Sequence, residues 1–206
     1  MHQDPVFREN DLQHTLDFAS ARGFGTLLIN GDPSPIAAHI PFVLSADNTY
    51  IEAHVMRSNP IARALKQPQS ALLTVSGPDG YISPDWYGVE NLVPTWNYVA
   101  VHLRGTLTLM DQDKILGVLD RISAHNENQL LPKKPWTTDK MSADVIERLM
   151  RMIVPIRLDI DAADSTWKLG QNKPDAARNG AIEGLQTSPL GMEIPALAKL
   201  MKSGLK

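Results

Sequence analysis

With 206 residues, 43 % hydrophobic and 21 % charged, the chain has the make-up of an ordinary globular protein built on one core. Its formal net charge of -3 gives no long-range attraction to DNA or anionic lipid, and no apolar run approaches the roughly 18 residues of a membrane span. Cysteine is absent, which excludes disulfides, thiolate metal sites and cysteine nucleophiles. The opening "MHQDPVFREN" has neither a basic nor an apolar leader region, so a cytoplasmic location is expected.

In chain order, "ENDLQHTLDFASARG" places Leu12, Leu16 and Ala19 on one helical face, with Asn10 or Asp11 as cap and Gly23 as stop. "GTLLIN", "SPIAAHIPFVL", "TYIEAHV" and "SALLTVSG" follow as short strands separated by Gly, Pro, Asp or Asn. "SNPIARALK" predicts one or two helical turns, capped by Ser58 or Asn59, with Pro60 at the first helical position. From Trp96 the alternation is clear: Asn97, Val99, Val101 and Leu103 face one way, while Trp96, Tyr98, Ala100, His102 and Arg104 face the other. "DKILGVLDRISAHNEN" and "SADVIERLMRMI" read as two helices of an insertion at about 111-153, and "VPIRLDIDAADSTWKLG" returns to a last strand. "EIPALAKLMKSGLK" is a short closing helical tail. The pattern predicts a mainly β chain with marginal helices (α+β), an antiparallel β-barrel occupying 1-206 as a single domain.

Three clusters carry candidate chemistry. In "EAHVMRSNP" a strand feeds a helix start, and Arg57, Ser58 and Asn59 add a guanidinium, a hydroxyl and an amide, a set that matches a phosphate dianion. The plainer alternative is that Ser58, Asn59 and Pro60 only start the helix and Arg57 is a solvated charge. In "GPDGYISPDWYG" and "VPTWNYVAVHLRG", Tyr81, Trp86, Tyr87, Trp96 and Tyr98 offer flat faces for a planar ligand or a partner, and Asn97 can hydrogen-bond a ring edge; an aromatic mini-core beneath long loops fits equally well. In "STWKLGQNKPDAARNG", Trp167, Lys168, Gln171, Asn172 and Lys173 gather two cations and two amides, suited to an anion, or else form a solvated turn with Asn172 or Asp175 capping a short helix. His39, His54 and His102 lack zinc-like spacing, and the chain has no G-x-S-x-G elbow, dinucleotide fingerprint, P-loop or basic helix-turn-helix.

From "HIPFVL" through "HVMRSNP", "SGPDGYISPDWYG", "VPTWNYVAVHLRG" and "STWKLGQNK" to "GAIEGL", the chain resembles the PaiB-like family of FMN-binding negative transcriptional regulators, part of the FMN-binding split-barrel group. The resemblance implies an FMN-binding split β-barrel and a homodimer with its flavin groove at the interface. It implies Arg57, Ser58 and Asn59, with Lys168 opposite, at the phosphate end of FMN. Trp96, Asn97 and Tyr98 would flank the isoalloxazine ring, with Gln171 and Asn172 contributed across the interface. It implies a regulator of gene expression, although charge and motifs disfavour direct DNA binding. A flavin-dependent oxidoreductase is the alternative; a haem-binding or haem-degrading split barrel, with His39, His54 or His102 as axial ligand, is a further one. No catalytic residue is assigned.

Overall fold

Asp11 starts the first helix, its Oδ1 accepting from the N–H groups of Gln13 at 2.9 Å and His14 at 3.2 Å. Helix α1 then runs Leu12–Arg22 and closes with the Gly23 N–H on the Ala19 carbonyl at 3.1 Å. The structure, a computed structural model, describes residues 1–9 and 11–203. Asn10, the other cap candidate, and residues 204–206 of the expected closing helix lie outside the described residues.

Two compact units make up the chain. The barrel unit comprises Leu16–Val75 and His102–Ala163. It contains β1 (Phe24–Ile29), β2 (Ile36–Leu44) and β3 (Tyr50–Met56), together with stretches of three long strands, β4 (Gln69–Ile82), β5 (Thr95–Leu109) and β6 (Ile153–Lys168). The strand order is β1-β2-β3-β6-β5-β4, and β1 pairs with β4 as well as β2, which closes the ring. The pairings of β1 with β2 and β4, of β2 with β3, and of β3 with β6 are antiparallel. Alternation drives the closure: Leu27, Phe42, Ile51, Leu73, Leu103, Ile156 and Leu158 are wholly buried at every second position of their strands. A closed ring also removes the sheet edges that such strands would otherwise expose.

Helix α2 (Pro60–Ala64) begins as its sequence predicts, with Asn59 Oδ1 accepting from the Ile61 N–H at 2.9 Å and Pro60 in the first turn. Helix α3 (Ile115–Asn128) buries Ile115, Val118 and Ile122. Its Arg121 Nε donates to Glu52 Oε2 at 2.6 Å, and that glutamate side chain is 9 % exposed. Arg121→Met leaves this buried carboxylate without its guanidinium partner. Because the arginine itself is half exposed, the expected loss is about 1–2 kcal/mol, below the cost of breaking a fully buried pair. Urea unfolding of Arg121→Met, with Glu52→Gln added to recover part of the loss, checks this. Helix α4 (Ala143–Met150) buries none of its side chains, and Leu149 and the following Met152 stay exposed.

The terminal unit comprises Met1–Thr15, Ser76–Val101 and Asp164–Lys206. It holds the remaining stretches of β4, β5 and β6, the short strand β7 (Gly191–Met192) paired to β4, and helices α5 (Asp175–Gln186) and α6 (Ile194–Ser203). Its core is Ile82, Val99, Trp167, Leu169, Leu185, Leu197 and Met201. The sequence offers a short helix capped by Asn172 or Asp175 as one reading; the structure extends it to twelve residues although Gly180 and Gly184 each cost a helix about 1 kcal/mol. Packing overrides that cost. A Cβ on Gly184 would sit 2.3–2.7 Å from ring carbons of Trp86, so the glycine leaves the notch in α5 that seats this indole. Trp86, an expected flat binding face, is thus an internal contact. Among the described residues no helix is long and apolar enough to cross a membrane.

Candidate cofactor site

A cavity of about 220 Å³ lies within the terminal unit. One wall is the start of β5, where Thr95 and Asn97, two positions apart, share a strand face. Another is the loop after β6: Gly170 takes a left-handed backbone (φ +76°), and Lys168, Asn172 and Lys173 line the cavity around it. Leu92, Val93 and Tyr87 supply apolar surface, and His2 and Phe7 close it from the start of the chain.

Its electrostatics are one-sided. Lys168 Nζ donates to Thr95 Oγ1 at 2.6 Å and stands 5.7 Å from the Phe7 ring centroid; Lys173 Nζ stands 5.7 Å from that of Tyr87. None of the lining residues is acidic. Burial, and then the charge of Lys173, hold the Lys168 ammonium below the usual lysine range. Burial also pushes the Tyr87 phenol up, keeping it a neutral hydroxyl. Two ammoniums drawn together without a counter-charge favour an anion in the space they face.

Of the residues expected from sequence, the cavity gathers Asn97, Lys168 and Asn172. Asn97 is 1 % exposed, with Nδ2 donating to Met201 Sδ at 3.5 Å. Gln171 braces its own loop: Oε1 accepts from the Leu169 N–H at 2.8 Å, and Nε2 donates to the carbonyls of Trp167 at 2.6 Å and Val6 at 3.1 Å. Trp96 and Tyr98 occupy the other face of β5, where Trp96 is 47 % exposed and meets Tyr81 edge-on at 6.2 Å. Arg57, Ser58 and Asn59 belong to the barrel unit. There Arg57 Nε donates to the Arg151 carbonyl at 3.0 Å, and Nη2 to Gln112 Oε1 at 2.7 Å and the Ile153 carbonyl at 3.3 Å. The Ser58 carbonyl accepts from Arg63 Nη2 at 2.9 Å, and Asn59 is the α2 cap.

The histidines are dispersed in role. His39 Nδ1 lies 2.9 Å from Thr26 Oγ1. His54 is half-buried, burial lowers its pKa, and its Nδ1 has no hydrogen-bond partner among the described residues. His102 is half-buried on β5. Among the described residues no group of three or more His, Cys, Asp or Glu is placed to hold a metal ion.

Sequence reasoning singled out neither His2, Phe7 nor Thr95. Lys173 is one of the two cations that the sequence suits to an anion, although the resemblance gives it no place at the flavin. Its signal was the lysine pair of "KLGQNK", whereas nothing local could tie His2 to Thr166, 164 positions away.

Comparison with known proteins agrees with this architecture. The family described as "Putative FMN-binding domain" matches residues 1–162. The protein named protease synthase and sporulation protein PAI 2 of Bacillus subtilis is 30 % identical over 212 residues, covering 100 % of this chain and 99 % of that protein. Among solved structures, a FAD and heme binding protein from Mycobacterium smegmatis superposes with a TM-score of 0.57 at 18 % identity, covering 86 % of this chain and 80 % of its own. The flavocytochrome Anf3 from Azotobacter vinelandii superposes with a TM-score of 0.54 at 16 % identity, covering 81 % of this chain and 72 % of its own. At such identities these two likenesses concern the fold.

Proposed function

Because this chain belongs to the FMN-binding domain family and folds as a PaiB-like split barrel, we propose that it binds FMN with the phosphate in the terminal-unit cavity. The observation that carries the reading is the Lys168–Lys173 pair facing a cavity with no acidic lining residue. The donor set suits a phosphate monoester: two ammoniums, the amides of Asn97 and Asn172, and the Thr95 hydroxyl. When bound, FMN would supply redox chemistry from its isoalloxazine ring. Trp96 and Tyr98 then offer flat faces to that ring. Val89, Val93 and Trp96 are 48 %, 73 % and 47 % exposed, and a second copy of the chain would cover them, in keeping with a homodimer that shares its flavin sites. In this reading Arg57, Ser58 and Asn59 brace the corner between β3 and α2, and the phosphate role passes to the lysines.

The biological output is regulation of gene expression, as for the PaiB-like family. With a net charge of -3 and no basic recognition helix, that output runs through a partner or through the redox state of the flavin, not through the chain's own grip on DNA. The test is a titration of flavin-free protein with FMN and with riboflavin, followed by flavin fluorescence. FMN should bind at least tenfold more tightly, the worth of charge-assisted phosphate contacts. Equal affinities would remove the phosphate from the cavity; failure of both to bind would remove the flavin.

A further inference from the structure

We infer that His2 is a further cofactor-contacting residue, donating from Nε2 to the anion, and that the segment from His2 to Phe7 is a strap that closes the cavity over it. This rests on the phosphate assignment above. The first argument is tautomeric. His2 Nδ1 lies 3.1 Å from the Asp4 backbone nitrogen, and a backbone N–H can only donate, so Nδ1 is the unprotonated acceptor. The neutral ring therefore carries its proton on Nε2, and the polar atom left to a ligand is a donor. A histidine held as an Nε2–H donor in a cavity with two ammoniums and no acidic lining residue is matched to an anionic acceptor.

The second argument is the anchoring. The His2 N–H donates to Thr166 Oγ1 at 3.1 Å, and its ring packs edge-on against Phe7 at 4.7 Å. Phe7 is itself 4 % exposed, and Lys168 Nζ approaches its ring face. Downstream, Arg8 bridges to Thr166, and Gln171 Nε2 donates to the Val6 carbonyl. The strap is thus fastened to β6, which ends at Lys168, and to the loop that carries Lys173, so ordering these two lysines around an anion and seating His2 are coupled. Asp4 is not among the lining residues, and its Oδ1 accepts from the Val6 N–H at 3.0 Å.

His2→Ala, His2→Gln and Lys168→Met, each checked by near-ultraviolet circular dichroism, would be titrated with FMN and with riboflavin. His2→Ala should weaken FMN about tenfold, one hydrogen bond to a charged group, and leave riboflavin within about twofold. His2→Gln should recover part of the loss, since its amide still donates. Unchanged FMN affinity in His2→Ala beside a weakened Lys168→Met would overturn the role of His2 and leave the cavity assignment standing. No change in either variant would overturn both. Equal loss of FMN and riboflavin would make His2 a structural residue and sink the inference. If His2→Ala loses its fold, His2→Gln decides: its FMN-to-riboflavin affinity ratio must stay above that of Lys168→Met.

Discussion

Lys168→Met is expected to weaken FMN by roughly 10- to 100-fold while leaving riboflavin within about twofold. The first figure is the worth of one hydrogen-bonded ion contact, about 1.5–3 kcal/mol. The selectivity follows because the two ligands differ by the phosphate alone. Methionine keeps most of the apolar stem of lysine and removes the ammonium, and with it the bond to Thr95 and the approach to the Phe7 ring. The pH dependence has a definite sign. Burial and Lys173 lower the Lys168 pKa, so in the ligand-free protein its proton leaves at a lower pH than from an ordinary lysine. Above that point FMN must draw the proton back, and its affinity should fall as pH rises from below the usual lysine range near 10.4. The fall should flatten in Lys168→Met. For ligand-free stability the sign reverses. The folded state disfavours the charged lysine, a penalty fully present below its folded pKa and gone above the unfolded one, so stability from this group rises with pH between the two. Lys168→Met should accordingly not lower the Tm of the ligand-free protein; a fall of many degrees would make Lys168 a structural residue.

Gly105→Ala should be the most damaging single methyl in the barrel unit. A Cβ there would lie 1.7 Å from the Asp159 carbonyl oxygen, 2.8 Å from its carbon and 3.2 Å from the Asp161 nitrogen. All three are backbone atoms of β6, the neighbour of β5 in the ring, and backbone cannot rotate aside as a side chain can. Relief requires the two strands to part in a closed barrel, where each pairing constrains the next. The expected loss is about 4 kcal/mol or more, large enough to leave the protein insoluble or unfolded. Gly117→Ala gives the contrast. On helix α3 the nearest atom to its Cβ is a guanidinium nitrogen of Arg121 at 3.2 Å; the gain in helix propensity is offset by disturbance of the Arg121–Glu52 pair, and the expected change is within about 1 kcal/mol of neutral. Denaturant midpoints of the two variants test the argument together. A soluble Gly105→Ala variant with a wild-type midpoint would mean that β5 and β6 approach less closely than described.

Much of the fold was legible because its signals are local. The alternation of β5 survives in the structure, with Asn97, Val99, Val101 and Leu103 buried and Trp96 and Arg104 exposed. Asn59 caps α2 and Asp11 caps α1 through side-chain bonds to N–H groups two or three residues on. Such bonds depend on neighbours in sequence, so residue type suffices to place them. Helix α5 was under-read for the opposite reason. Its glycines look like breakers until Trp86, about a hundred positions earlier, is found in the notch they leave. The resemblance brought Arg57 and Lys168 together as one phosphate site. In the structure two of the Arg57 nitrogens bond Gln112 and the carbonyls of Arg151 and Ile153 within the barrel unit, and Lys168 stands beside Thr95 and Lys173 within the terminal unit.

By itself, then, the sequence determined the composition, the strand and helix periods, the caps and the motifs that mark the family, since each is written in residue type and spacing over a few positions. Tertiary structure alone decided which of those motifs share a cavity. The residues that line it come from the start of the chain, from the loop and strand around 87–97 and from the loop after β6, and they meet because hydrogen bonds such as His2 N–H to Thr166 Oγ1 span 164 positions. Contacts at that separation are fixed by the packing of the terminal unit's own core, which no local pattern encodes.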